Sequence, residues 1–234
     1  PDDFQNWDGR ESYFRKDRFT PAPVNGSALT GRLSEDLTWV DAPSQGTDSL
    51  YYDNEREGFV ANLSGGDVAA ANGMVVTGTK NHAVRCVEAR LQGEGGLFGG
   101  SSLSVFSPID GLVCRATWKE DGTLRVETAS VNPDSGSDEV LLSSLGSDPD
   151  TWTVRFKLDD GVGCYADVLN SSREIIWTSE GLFYPMERYN IADDNLTVVL
   201  RSPVSGNAVV DTWKGVRVFS CNGADPTSVT LESL

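Results

Sequence analysis

His82 is the only histidine in the chain, so no two-histidine metal site can be assembled and any histidine-dependent triad would have to use this one residue. It follows Lys80-Asn81 at a strand entrance, where an exposed polar residue is the default. The four cysteines, Cys86, Cys114, Cys164 and Cys221, are not paired at zinc-finger spacing. Carboxylates are plentiful, and a pair of them could serve glycoside hydrolysis. They concentrate in turn-like positions, however: Asp53 and Glu55, Asp110, Glu120 and Asp121, Asp134, Asp138 and Glu139, Asp159 and Asp160, Asp193 and Asp194. Carboxylates in turns face solvent and shape the turn. No strand-borne cluster of them stands out, and no catalytic residue is assigned.

Oxygen-rich loops suit calcium better than catalysis. Asp48 to Glu57 and Asp193-Asp194-Asn195 are the segments that could hold it, although no EF-hand spacing is present. The glycine-rich run Gly93 to Gly100 lacks the Lys-Ser/Thr of a phosphate loop and reads as a flexible loop at a sheet edge. Tyr51, Tyr52, Tyr184 and Tyr189 fall outside the strongest core periodicity. An aromatic ring offers an apolar face and a polar tip, so they could form a sugar platform, with core filling as the alternative.

These residues need a scaffold, and the scaffold reads as strands. Trp152, Val154, Phe156 and Leu158 alternate with Thr153, Arg155 and Lys157, the period of a half-buried strand. Asp159-Asp160-Gly161 turns, and Val162, Cys164, Ala166 and Val168 return. That loop places Leu158 opposite Val162, Phe156 opposite Cys164 and Val154 opposite Ala166. A second hairpin runs through Leu112, Cys114, Ala116 and Trp118, turns at Glu120-Asp121-Gly122, and returns through Leu124, Val126 and Thr128. It sets Trp118 opposite Leu124, Ala116 opposite Val126 and Arg115 opposite Glu127.

Further strands are expected at Leu37 to Val40, Leu50 to Tyr52, Gly58 to Ala61, Met74 to Thr77, Ala83 to Leu91, Val140 to Leu145, Glu174 to Thr178, Leu196 to Arg201 and Asp211 to Phe219, with Val229 to Leu231 as a last one. No window keeps a helical period for three turns. The expectation is an all-β chain: a single antiparallel β-sandwich, or jelly roll, over residues 24–234, with residues 1–23 as an N-terminal arm.

The arm carries Phe4, Trp7, Tyr13, Phe14 and Phe19 at no regular period. It either packs on its own domain or docks on a partner, with Phe4, Trp7, Tyr13 and Phe14 as the docking residues. A formal charge of -16 argues against binding nucleic acid or an anionic membrane surface. The N-terminus has no basic-then-apolar leader pattern, and Pro1 fits removal of an initiator methionine or a trimmed chain. The cysteines read either as buried thiols of a reducing compartment or as two disulfides of a secreted protein. Formal glycosylation sites at Asn25, Asn62, Asn170 and Asn195 keep the second reading open.

Asp17-Arg18-Phe19, Asn25-Gly-Ser-Ala-Leu-Thr-Gly31 and Leu37-Thr-Trp39-Val, with the closing Asp211-Thr-Trp-Lys-Gly215-Val-Arg-Val-Phe219, resemble concanavalin-A-like (laminin-G-like) jelly-roll domains of bacteriophage tail and virion proteins, especially those of actinobacteriophages. The hairpin Gly111 to Glu127 is similar in style. The Glu-x-Asp-x-x-Glu strand of laminarinase-like jelly-roll hydrolases is absent. The resemblance implies a non-enzymatic minor tail or capsid-associated (decoration) protein, multi-copy in a virion assembled in the host cytoplasm. Its partners would be other virion proteins, through the arm, and a host cell-surface glycan. The alternative is a secreted jelly-roll lectin or polysaccharide-degrading enzyme.

Overall fold

The structure is a computed structural model that describes residues 12–13, 37–41, 50–61, 70–76, 86–93, 97–107, 111–128, 136–149, 152–159, 163–180, 196–202 and 211–219. Among these residues the chain is all-β. Its strands are β1 (Ser12–Tyr13), β2 (Leu37–Asp41), β3 (Leu50–Asp53), β4 (Gly58–Ala61), β5 (Ala70–Val76), β6 (Cys86–Gln92), β7 (Ser102–Ser107), β8 (Gly111–Trp118), β9 (Thr123–Thr128), β10 (Ser137–Leu141), β11 (Thr153–Asp159), β12 (Gly163–Leu169), β13 (Ile175–Thr178), β14 (Leu196–Ser202) and β15 (Thr212–Phe219).

They form two antiparallel sheets. One has eight strands in the order β13-β12-β11-β6-β15-β4-β3, with β1 also on β15; the other has seven, β10-β9-β8-β7-β14-β5-β2. The inner faces pack together through Val87, Ala89, Leu91, Val154, Phe156, Cys164, Ala166 and Val168 on one side, and Leu103, Val105, Cys114, Ala116, Leu124, Val126, Val198 and Leu200 on the other, all at most 1% exposed. This is the expected jelly-roll sandwich.

The hairpin β8–β9 has the expected register, with Trp118 opposite Leu124, Ala116 opposite Val126 and Arg115 opposite Glu127. Gly122 sits at φ +80°, as a three-residue loop closed by glycine requires, and the Asp121 carboxylate accepts the Thr123 N–H at 2.9 Å. The hairpin β11–β12 differs. Its pairing runs Leu158 to Cys164, Phe156 to Ala166 and Val154 to Val168, and Asp159 still pairs Gly163. The expected pairing of Phe156 with Cys164 is therefore wrong by two residues: the strand continues one residue further before turning. A slip of two keeps every side chain on its face, so the apolar face is unchanged.

Other expectations need correction. β11 is not half-buried: Arg155 and Lys157, assigned to solvent, are each 3% exposed. β7 was missed, because Ser102, Ser104 and Ser107 mask its alternation with Leu103 and Val105. β10 begins before Val140 and stops at Leu141, where a 3-10 turn, Leu142–Ser144, folds Leu142 into the core.

Nor is the glycine-rich run a flexible edge in its described part. Gly93 is buried, and a Cβ there would come within 1.8 Å of the Leu97 carbonyl oxygen. Phe98 is fully buried. The Asp211 carboxylate, at the entrance to β15, accepts the N–H groups of Gly99 and Ser101 at 2.9 and 3.2 Å. Ser101 Oγ then donates to Ser202 Oγ (2.9 Å), which also accepts the Trp213 indole N–H (2.9 Å). Trp213, wholly buried, meets Trp118 of the other sheet edge-to-face at 5.7 Å.

Two outcomes follow for this cluster. Trp213→Ala removes the largest fully buried side chain among the described residues together with its aromatic contact, and should cost about 3–5 kcal/mol in denaturant melts; a loss under about 1 kcal/mol would contradict this packing. Burial pushes the Asp211 carboxyl above its ordinary value, against the bonds from Ser101 and Gly99 that pull it down. A carboxyl raised on folding favours the fold while protonated, and that contribution is lost as pH rises through the folded value. Asp211→Asn does not titrate, so the stability difference between wild type and variant should move toward wild type as pH falls from about 7 to about 4. A flat difference would show that Asp211 keeps an ordinary pKa.

Candidate functional site

The alternation that buries Val154 and Phe156 turns Arg155 and Lys157 to the outer face of the eight-stranded sheet. Neighbouring strands bring Asp167 and Tyr165 of β12 and Glu88 of β6 to the same face, because residues directly opposed across a ladder share a face. The register makes a transverse row: Thr178 opposite Asp167, Asp167 opposite Arg155, Arg155 opposite Glu88. Its backbone pairing continues from Glu88 to Arg217 and from Arg217 to Tyr13.

Charges alternate along the row and are bonded almost throughout. Asp167 Oδ2 accepts from Arg155 (2.9 Å) and Lys157 (2.8 Å), and its Oδ1 accepts the Thr178 hydroxyl (2.8 Å). The Lys157 ammonium also lies 4.4 Å from the centre of the Tyr165 ring. Glu88 Oε1 receives Arg173 at 2.7 Å and stands 3.9 Å from Arg155. The side chains of Glu88, Arg155, Lys157 and Asp167 are at most 4% exposed, although they lie outside the sandwich core. Arg173 is the open member, with 26% of its side chain exposed.

Arg173 comes from the turn between β12 and β13. There Asn170 Oδ1 accepts the Glu174 N–H and the Asn170 carbonyl accepts the Arg173 N–H, each at 2.9 Å. The turn holds Arg173 at φ +64°, an unusual setting for a residue with a side chain. The Asn170 amide donates to Glu174 (2.8 Å), so this formal glycosylation site is tied into its own turn.

The outer face of the seven-stranded sheet makes a useful contrast. Arg115, Glu127, Arg125, Glu139 and Lys119 link there at 2.8–3.3 Å, with side chains 24–41% exposed. Lys119 holds the Glu139 carboxyl below its ordinary value. This is a solvated ladder; the row on the other sheet is buried.

The carboxylates were not confined to turns. Asp138 and Glu139, expected in a turn, lie in β10, and Glu88 and Asp167 are strand-borne and share a face. Glu88 and Asp167 sit two strands apart, about 9–10 Å by sheet spacing, with the Arg155 guanidinium between them. Asp53 does shape a turn: its oxygens accept the Glu55 and Arg56 N–H groups and the Arg56 guanidinium at 2.8–3.0 Å. Among the described residues no three Asp, Glu, His or Cys side chains gather to hold a metal ion. Asp193 to Asn195 lie outside the described residues.

Of the tyrosines expected at a sugar platform, Tyr52 is core, 9% exposed and packed edge-on against Phe59 at 5.4 Å. Tyr51 lies in β3 with its side chain undescribed; Tyr184 and Tyr189 lie outside the described residues. Of the arm, Phe4, Trp7 and Phe14 lie outside them too. Ser12 and Tyr13 pair with Val218 and Arg217 of β15, so this piece of the arm belongs to its own sheet. Cys114 and Cys164 are buried free thiols, one from each sheet. Burial, and after it a hydrogen bond with Cys164, drives the Cys114 pKa well above the ordinary thiol value.

No family model matches the chain, and no curated protein matches it either. Solved structures do. A protein of unknown function from Shewanella oneidensis MR-1 superposes with a TM-score of 0.52 at 12% identity, over 92% of this chain and 87% of that one. The CBM2 module of the evolved Dit of Lactobacillus casei BL23 phage J-1 gives 0.51 at 8% identity, over 83% and 94%. A structure described as a receptor binding domain gives 0.52 at 9% identity; the match covers 89% of this chain and 48% of that one. The fold shared with these structures is an antiparallel β-sandwich of the jelly-roll kind.

The two charge networks should respond differently to truncation. Asp167→Ala leaves Arg155 and Lys157 buried without their shared carboxylate and should cost about 3–5 kcal/mol in urea melts. Arg115→Ala, in the solvated ladder, should cost less than about 1 kcal/mol. Equal losses would mean that the row is solvated like the ladder.

Proposed function

We propose that the chain is a non-enzymatic carbohydrate-binding jelly roll of a phage virion, which meets a cell-surface glycan at the Arg173 end of the charged row on its eight-stranded sheet. The observation that carries this reading is the row itself. Polar side chains of fixed position, joined by the Tyr165 ring and open at Arg173, are what oriented recognition of hydroxyl-rich rings uses.

The likeness in fold to a CBM2 module of a phage Dit supports both the ligand class and the virion setting, and the likeness to a receptor binding domain supports a binding role. The free buried thiols favour assembly in a reducing cytoplasm over secretion. Against hydrolysis stands the occupancy of Asp167. Both its oxygens are engaged, and a guanidinium separates it from Glu88, where a glycosidase needs two carboxyl groups facing one bond.

Three measurements test this. Purified particles of the producing phage should contain the chain by mass spectrometry. The isolated protein should retain a subset of glycans on an array. Incubation with those glycans should release no reducing ends. Turnover abolished by Glu88→Gln or Asp167→Asn would make the protein an enzyme and end the binding-only reading.

A further inference from the structure

We infer that the glycan bound at the Arg173 end of this row is anionic, its carboxylate or phosphate oxygens received by the exposed guanidinium of Arg173, with the buried Arg155 guanidinium beside it reinforcing the positive charge. The inference rests on the proposed glycan-binding role and follows from the hydrogen-bonding groups left over in the row.

On the acceptor side Asp167 has nothing left to offer: both oxygens are taken, by Thr178 on one and by Arg155 and Lys157 on the other. A hydroxyl donating from a neutral sugar would compete with three existing bonds there. On the donor side groups remain unfilled. Arg155 Nε is the buried side-chain nitrogen or oxygen without a partner among the described residues. A buried donor left unmet is costly, most of all on a charged group, so its position calls for an acceptor. Arg173 gives one nitrogen to Glu88 and presents the rest of its fork at the open end of the row. The two guanidinium groups are adjacent, since both approach the same oxygen of Glu88, at 2.7 and 3.9 Å. What the row lacks is an acceptor with several lone pairs, and an oxyanion is the group that fits the unused donors of the Arg173 fork next to a second guanidinium.

Two further observations agree. Arg173 is held in the left-handed region at φ +64°, a setting that disfavours side chains and recurs where a residue must be aimed. The described row also carries three cations, Arg155, Lys157 and Arg173, against two carboxylates, on a chain whose formal charge is -16. Long-range repulsion from such a chain opposes any anion, so an excess of guanidinium on one face marks where an anion can settle.

The test uses the full chain and an array of matched pairs. Hexuronate oligomers stand beside their methyl esters, sialylated glycans beside their asialo forms, and glycerol-phosphate polymers beside the phosphate-free polyols. The acidic member of a pair should be held at least about tenfold more tightly than its neutral partner, the effect of one charge-assisted bond pair. That preference should shrink as salt rises from about 0.05 to about 0.5 M. Whether the uronate and sialate pairs or the phosphate pairs respond tells a carboxylate from a phosphate ligand. Arg173→Gln should abolish the preference and, by taking the ion partner from buried Glu88, lower the melting temperature without unfolding the chain at assay temperature. Arg173→Lys, which keeps a cation beside Glu88, should restore only part of the preference, because the charge returns without the fork.

Equal binding of acidic and neutral partners would overturn the anion inference and leave the glycan-binding reading standing. An acid preference untouched by Arg173→Gln would overturn the site. Retention of no member of any pair would overturn both readings.

Discussion

Trp213 is the point on which both sheets depend. It lies in β15, yet its ring meets Trp118 of the opposite sheet and its indole N–H is accepted by Ser202 of β14. The apolar ring and its one polar atom are therefore both satisfied across the sandwich. A buried indole needs that acceptor, because an unmet N–H would cancel much of what burying the ring contributes. Ser202 in turn binds Ser101, and Asp211 takes the N–H groups of Gly99 and Ser101, so the entry into β7 is fastened to the start of β15. The backbone accommodates this with a register shift between Trp213 and Gly215, which lets β15 meet β4 on one side of the shift while it continues along β6.

β15 also lies near the middle of the sheet that bears the charged row. It pairs β6 along most of its length, and β6 pairs β11, so the strand that carries Glu88 is fixed between two long ladders. Because the sandwich core holds the inner side of each strand, the outer side chains inherit their spacing from the ladder rather than from their own flexibility. Arg155 can then reach Asp167 and Glu88 on two different strands without either strand being able to drift.

Two alternating charge patterns, on opposite outer faces of one sandwich, have different physical standing. The ladder from Arg115 to Lys119 is partly open to water, which weakens each attraction and makes the pairs nearly dispensable. The row from Asp167 to Glu88 has lost its water, so its ions must satisfy one another, and any group left over is conspicuous. That difference separates a solvated face from a buried one, and it depends on burial rather than on residue type.

Much of the fold was legible in the chain alone. Period-two alternation identified most strands, because a strand buried on one side must repeat its apolar residues every second position. The β8–β9 register followed from a three-residue loop ending in Gly122, and with it the pairing of Arg115 with Glu127. The β11–β12 register did not, since Asp159, Asp160 and Gly161 allow the turn to begin at either aspartate. That two-residue difference hid the pairing of Arg155 with Asp167. Glu88 was further out of reach: its partner Arg155 is distant in sequence, and no local pattern tells which strands of a jelly roll become neighbours. The sequence by itself determined which side chains the β8–β9 and β11–β12 hairpins turn inward and that their strands are antiparallel. Only the tertiary structure decided that the other face of β11 would also be buried, because its burial and its ion pairs come from strands and turns that only the folded sheet brings together.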